Sequence, residues 1–458
     1  MAKILLVIPN ETREPYPVYP LGASLVAHAA RSRGHDVREW DYLFESSRGG
    51  TLAQAVSEQQ PDVIGVSLRN IDNINMVNQE LYVDWYLSVV RELKELTDRP
   101  VVVGGAGFSL MPERMLEFLG ADYGVVGEGE LVFSDLAERL AAGERPERRL
   151  FAGEKPVAGE QIAVTGRNPD LAAYYFANGG MLNVQSKRGC PLRCAYCTYP
   201  LLEGRTYRFR DPADVVTEIA RMKSEFGADY FAFTDSTFND PQGKYLEVAE
   251  ELVRRRVKVR LMAFFRPDHF QKEQVELLRR AGLHSVEWGS DCSSDTTLRA
   301  MRKGFRWDQV MESNRLFAEA GIKNAHFIIF GGPGETEQTV AEGLANIERL
   351  SESVVFVFRG VRVLPRTEVH RIALEEGVVS EDDDLLRPTY YTSKQVSGEF
   401  IHQAVLDSFG ARLDRIYPIP TGSEKIARLY EMGLRGPAWD LLLFSGGSRS
   451  RGDGAGSQ

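Results

Sequence analysis

Three of the four cysteines in this 458-residue chain fall in one stretch, Cys190-Pro-Leu-Arg-Cys194-Ala-Tyr-Cys197. The C-x3-C-x2-C spacing gathers three thiolates on one loop. They can hold three irons of a [4Fe–4S] cube and leave the fourth iron open to an outside molecule. A structural zinc site needs four ligands in closed geometry. Here the fourth would be Cys292 or a histidine, and neither stands at finger-like spacing. A disulfide framework needs many more cysteines in a much shorter chain. The spacing points to a reactive centre rather than a staple.

The elements that must carry this loop follow from the apolar runs. Residues 1–145 alternate short apolar strands (4–8, 63–67, 100–103, 123–126) with helical patterns (20–33, 81–96), as parallel α/β units do. Gly104-Gly105 and Gly127-Glu128-Gly129 close two of the strands. Glycines there let a ligand approach the carboxyl edge, where open α/β sheets bind, although such pairs also serve as plain turns. Residues 146–180, with Gly-Glu-Arg-Pro and Gly-Arg-Asn-Pro turns, read as an irregular linker. Six βα units follow in 181–365, with strands at 181–186, 230–233, 258–265, 285–288, 325–330 and 354–362. Residues 366–445 are mixed, with helical stretches at 368–376 and 398–415 and a solvated acidic turn at 382–384. Residues 446–458 read as a disordered tail.

The formal charge of −10 argues against a general nucleic-acid surface. No apolar run approaches the roughly 18–20 residues of a membrane span. The opening apolar stretch is too short for a secretory signal and reads as a buried strand. Few cysteines and an oxygen-labile cluster predict a cytoplasmic protein.

With Tyr196 just before the last cysteine, the motif resembles the signature of the radical S-adenosylmethionine (SAM) enzymes. The N-terminal third resembles the cobalamin-binding domain of one large subclass. The matching pieces are Gly65-Val-Ser-Leu-Arg-Asn-Ile-Asp-Asn73, Val101-Val-Val-Gly-Gly-Ala-Gly-Phe-Ser109 and Gly124-Val-Val-Gly-Glu-Gly-Glu130. The resemblance implies an α/β chain: an N-terminal Rossmann-like cobalamin-binding domain, a radical SAM partial (β/α)6 barrel and a small C-terminal α/β segment that shapes the substrate pocket. The active site is then expected at the carboxyl ends of the barrel strands, as on the top face of full barrels.

The same resemblance implies a [4Fe–4S] cluster on Cys190, Cys194 and Cys197, with Cys292 outside the ligand set. SAM is expected near Tyr196 (adenine packing), Asp235 (ammonium, or else a helix cap), Arg266 (carboxylate, or else a structural ion pair), Glu287 and Asp291 (ribose), and Gly331, Gly332 and Glu335 (a glycine-rich turn fixed by the glutamate). Cobalamin is expected on Ser67, Leu68, Arg69, Asn70, Gly104, Gly105, Gly107, Gly127, Glu128 and Gly129. No Asp-x-His-x-x-Gly is present, and His28 and His35 read as surface or packing residues, so the cobalt's lower face is expected to lack a histidine. Tyr196, Tyr199, Tyr207, Phe238, Phe264, Phe265 and Trp288 either line a dry cavity or are ordinary core.

No side chain is assigned a catalytic role of its own. The cofactors carry the radical chemistry, and the barrel aligns atoms and excludes water. The implied reaction is SAM cleavage to a 5′-deoxyadenosyl radical, followed by methylation of an unactivated carbon of a small-molecule, lipid or secondary-metabolite substrate. An electron donor such as flavodoxin or ferredoxin is expected. Competing readings are non-methylating cobalamin chemistry (ring contraction, cyclisation, carbon–carbon bond formation) and a non-enzymatic cobalamin or iron–sulfur sensor.

Overall fold

A computed structural model describes residues 1–13, 16–162, 166–419, 436, 437 and 442. Its first sheet has six parallel strands: Lys3–Ile8 (β1), Asp36–Asp41 (β2), Val63–Ser67 (β3), Val101–Gly104 (β4), Tyr123–Val126 (β5) and Leu150–Ala152 (β6). They lie in the order β2-β1-β3-β4-β5-β6. β1 is apolar on both faces because helices cover both. Leu6 and Val63 pack in one layer with Leu136, and Leu5, Ile64 and Val101 in the other with Val89.

Two strands of this sheet escaped the sequence pattern, and both are its edges. β2 reads Asp-Val-Arg-Glu-Trp-Asp, with too many charges for a buried run. Its Glu39 is buried, but Arg31 pairs with it at 2.8 Å. β6 is three residues long and lies within the stretch read as a linker. That stretch also contains the helix Pro169–Gly179, so the expectation of an irregular crossing is overturned. Asn168-Pro169 is not a turn but a helix start. The Asn168 side chain accepts from the backbone N–H groups of Asp170 and Leu171, and proline occupies the first helical position, where no N–H is needed. Tyr175 of this helix donates its hydroxyl to Asp41 at 2.9 Å, tying the helix to the end of β2.

The second sheet begins with Leu182–Val184 (β7), which leads through the hairpin of Lys187–Arg188 (β8) and Arg208–Phe209 (β9). It continues with Tyr230–Phe233 (β10), Arg260–Phe265 (β11), Leu283–Asp291 (β12), Lys323–Phe330 (β13) and Ser353–Arg359 (β14). A second hairpin, Val361–Arg362 (β15) with Tyr390–Tyr391 (β16), precedes Arg415–Ile416 (β17). The order β17-β14-β13-β12-β11-β10-β7 is parallel throughout and follows the chain, as expected of a partial βα barrel, with β17 added at one edge.

Alternation along these strands separates an outer layer from a lumen. Phe231, Phe233, Ala263, Phe265, Val286 and Trp288 pack outward against helices. Tyr230, Ala232, Met262, Ala325, Val354 and Phe356 form a separate inner cluster. The helices expected at 368–376 and 398–415 are Glu368–Glu375 and Gly398–Phe409. The second stops at Gly410 (φ 53°), which frees the chain to enter β17. Asp382–Asp384 are exposed, as a solvated turn requires. The expected tail at 446–458 lies outside the described residues. Among the described residues, no helix is long and apolar enough to cross a membrane.

The carboxyl edge of the first sheet faces the cysteine side of the barrel. Arg188 pairs with Glu128 at 3.0 Å and with Glu130 at 2.6 Å, and Arg208 pairs with Glu128 at 2.8 Å. The buried pair Asp72–Arg362 closes the other flank at 2.8 Å.

Candidate active site

The cysteine loop leaves β7 through a clamp. Asp235, just after β10, accepts from the Ser186 N–H at 2.7 Å, from the Ser186 hydroxyl and from the Lys187 N–H at 3.3 Å. Lys187 is fully buried. It donates to the Phe238 carbonyl at 2.6 Å and lies 3.5 Å from Asp235. Gly189 (φ 88°) then turns the chain where a Cβ would stand 2.0 Å from the Thr206 carbonyl oxygen, so only glycine fits. Further along, the Ala195 N–H donates to Met301 O at 3.0 Å, and the Ala195 carbonyl accepts from the Val369 N–H at 2.9 Å. The loop is thus pinned at both ends.

The three cysteine sulfurs lie near enough for their charges to act on one another. Burial raises the Cys197 thiol to about 12, and the negative charges of Cys194 and Cys190 add to the effect. Burial likewise raises Cys190, with Cys194 contributing. Thiolates that repel one another across a shared space are what a cationic iron cluster relieves. Among the described residues, no three Cys, His, Asp or Glu side chains approach closely enough to hold a single ion. None of the four cysteines is in a disulfide, and Cys292 is buried in the apolar core.

Beside the loop stands a residue that sequence reasoning missed. Lys303 is fully buried, pairs with Asp291 and lies 3.6 Å from Cys194 Sγ. Burial opposes its charge, but Asp291 and then Cys194 outweigh burial and hold the ammonium above its usual range. Tyr196 donates its hydroxyl to the same Asp291 oxygen at 2.5 Å. Asp291 reaches both because β12 loses its regular register between Trp288 and Asp291, whose backbone is left-handed at φ 57°. The only sequence sign of Lys303 was its place in Met301-Arg-Lys-Gly304, where Arg302 (φ 56°) and Gly304 (φ 71°) form a tight turn.

Arg266 reaches that turn from β11. It donates to the Lys303 and Gly304 carbonyls at 3.2 and 2.8 Å and lies over the Phe305 ring, while its buried Nε has no partner among the described residues. Glu335 closes the glycine-rich turn. It accepts from the Gly331 N–H at 3.2 Å and from the Thr339 hydroxyl at 2.5 Å, and burial raises its carboxyl to about 7. Gly332 packs beside Met301. Glu287 stands apart from all of these, four residues before Asp291 and on the lumen face. Of the aromatics, Phe238, Phe265 and Trp288 are core. Phe264 and Tyr199 are exposed.

In the first domain, Leu68 and the glycines pack the loops against one another. The Leu68 N–H donates to Gly104 O at 2.8 Å, and the Gly107 N–H to Leu68 O at 2.9 Å. A Cβ on Gly105 (φ 99°) would stand 2.4 Å from Leu68 O. The Gly127 N–H donates to Ser109 Oγ at 2.8 Å, and Gly129 begins the helix Glu130–Ala141. Glu128 is engaged by Arg188 and Arg208. Ser67 is half-buried at the end of β3, and Arg69 and Asn70 beyond it are exposed. Arg69 faces the barrel: its charge, like that of Cys197, acts on the Tyr199 phenol.

Neither histidine read as a packing residue lies at this edge. His35 accepts from the Ala2 N–H at 3.1 Å at the opposite end of β1, and His28 packs against Gly166. A cavity of about 580 Å³ opens at the carboxyl edge between Leu110, Val126, Phe151, Arg366 and Leu385. It does not contain the cysteine loop. Exposed polar loops and adjoining space are compatible with a large ligand across the first sheet.

Residues 14–137 match the family model of the B12 binding domain, and residues 184–345 that of the Radical SAM superfamily. The chain joins a B12-binding domain to a radical SAM domain. This radical SAM enzyme is 26% identical over 438 residues to tryptophan 2-C-methyltransferase of Streptomyces laurentii, covering 79% of this chain and 73% of that one. It is 24% identical over 424 residues to an uncharacterised methyltransferase of Pyrococcus horikoshii, covering 86% and 90%. Its fold matches that of the radical SAM methyltransferase TsrM of Kitasatospora setae, solved with tryptophan and a SAM analogue. The TM-score is 0.84 at 24% identity, covering 96% of this chain and 97% of that one.

Proposed function

We propose that the enzyme binds a [4Fe–4S] cluster, SAM and cobalamin, and methylates an unactivated carbon of a small-molecule or lipid substrate. The observation that carries this reading is that the charges of Cys190 and Cys194 act on the Cys197 thiol, and that Cys197 and the exposed Arg69 of the first domain both act on the Tyr199 phenol. When bound, the cluster supplies the electron that cleaves SAM, and cobalamin supplies the methyl group to be transferred.

The chain's own residues position and shield. The cysteines hold three irons. Lys303 places a fixed positive charge beside Cys194, and Asp291 balances it while orienting Tyr196. The unpartnered Nε of Arg266 faces the same turn and offers a donor to a carboxylate. Buried aromatics and the inner apolar cluster keep bulk water from the barrel floor. A small reducing protein, flavodoxin or ferredoxin, delivers the electron.

The test is anaerobic reconstitution with iron, sulfide, hydroxocobalamin, dithionite and SAM. Cobalamin retained after desalting, together with substrate-dependent S-adenosylhomocysteine and a product heavier by one methyl group, is the expected result. Product formed without a gained methyl favours ring contraction or cyclisation. Intact cluster with no SAM consumed overturns the enzymatic reading and leaves a sensor.

A further inference from the structure

The barrel lumen contains a carboxyl group that none of the described residues engages. Ser285, Glu287 and Gly289 alternate on the inner face of β12, while Val286 and Trp288 pack outward. Ser285 is hydrogen-bonded to the Tyr230 hydroxyl at 2.9 Å, which seals the floor. One level higher, Glu287 is only 5% exposed, yet no hydrogen bond from any described residue reaches it and no charged group acts on it. Burial alone raises it to about 8, so the carboxyl is chiefly protonated at neutral pH.

Its surroundings form a slot. Glu287 stands in register with Phe264 of β11 on one side and Ala325 of β13 on the other. Phe264 is 39% exposed, whereas its neighbours Ala263 and Phe265 are fully buried, so its ring borders open lumen. Gly289 leaves the space above Glu287 clear: a Cβ there would meet only the Phe265 carbonyl oxygen, at 3.7 Å. Ala325 is small. Two residues further along β13, Phe327 stacks on Phe356 of β14 at 5.0 Å. A buried, unpartnered carboxyl costs stability, and a ligand that hydrogen-bonds to it offsets that cost.

We propose that Glu287 and Phe264 form the substrate's recognition site. The substrate is a planar, mainly apolar ring that stacks on Phe264 and presents one hydrogen-bonding edge to Glu287. The proposal rests on reading the barrel as the reaction chamber. Glu287 precedes Asp291 by four residues, about 13 Å along a strand. The anchored ring therefore enters polar edge first and leaves its outer end toward the Tyr196–Asp291–Lys303 group. In its acid form the Glu287 carboxyl offers both a donor and an acceptor, which suits an N–H, amide or ring-nitrogen edge and disfavours a saturated chain.

The test is equilibrium dialysis of the reconstituted holoenzyme with indole and 1-methylindole, two flat probes that differ in a single N–H donor. The expected result is about tenfold tighter binding of indole, the worth of one buried hydrogen bond. Glu287→Leu should bind both probes equally, Glu287→Gln should retain the preference through its amide oxygen, and Phe264→Ala should weaken both alike. Glu287→Leu should melt no lower than the parent, since no protein contact is lost. Equal binding of the two probes by the parent, binding of neither, or a preference that survives Glu287→Leu overturns the proposal. Dialysis needs no turnover. Absent SAM cleavage with the preference intact therefore refutes the methyltransferase reading alone, and the converse refutes this assignment alone.

Discussion

Asp291, in left-handed backbone, accepts the Tyr196 hydroxyl at 2.5 Å on the same oxygen that pairs with Lys303. One strained strand end thus holds both the aromatic of the cysteine motif and the only ammonium beside its sulfurs among the described residues. Asp291→Asn removes the countercharge and leaves Lys303 buried and unpaired. Breaking such a pair costs about 3–5 kcal/mol. Denaturant unfolding should show a loss of that order, while Tyr196→Phe, which removes one hydrogen bond to a charged acceptor, should lose about 1.5–3 kcal/mol. Equal and negligible losses would mean that the cluster of contacts does not form.

Cys190, Cys194 and Cys197 should each be indispensable for iron. Single serine variants reconstituted without oxygen should lose the cluster's charge-transfer absorption and most bound iron and sulfide. Cys292→Ala should retain both, because Cys292 is buried among apolar residues and is not among the charges that act on the Cys190 or Cys197 thiols. Iron analysis of the four variants decides it.

Gly105 is held at φ 99° with its Cα against the Leu68 carbonyl. Gly105→Ala introduces a methyl group 2.4 Å from that oxygen, a backbone atom that cannot swing away. The 67–70 loop must shift, and the thermal midpoint should fall. Cobalamin retention after desalting should fall with it, whereas iron content should not change. Loss of both together would show that the two domains do not respond separately.

Glu287 also sets a pH dependence of stability. Its carboxyl titrates near 8 when folded and near the ordinary carboxylate range when unfolded. Below the unfolded value the group is protonated in both states and has no effect. As pH rises toward 8 the unfolded chain ionises first, so stability falls, with a slope of at most about 1.4 kcal/mol per pH unit. Glu335, raised to about 7, acts in the same direction over a shorter range. Unfolding curves between pH 5 and 8 should show this decline, and Glu287→Gln should flatten it. An unchanged slope in the variant would place the titration elsewhere.

The apolar runs and the cysteine spacing were enough to locate most of the parallel strands along the chain and the cysteine motif between two of them. Apolar runs such as 4–8 and 230–233 are buried on both faces whatever their neighbours, and C-x3-C-x2-C is local, so both can be read from the chain alone. What escaped was whatever depends on a partner distant in sequence. β2 is legible only once β1 lies beside it, and Asn168-Pro169 starts a helix only because Leu171 and Tyr175 have a surface to bury against. Lys303 becomes a neighbour of Cys194 across 109 residues. The tertiary structure also decided what the carboxylates face. Asp235 binds the cysteine strand and Glu128 binds the barrel's arginines, while Glu287 in the lumen is left without a partner among the described residues. Residue type and spacing show that an acid is present, but burial and the contacts across the sheet decide whether protein or ligand must satisfy it.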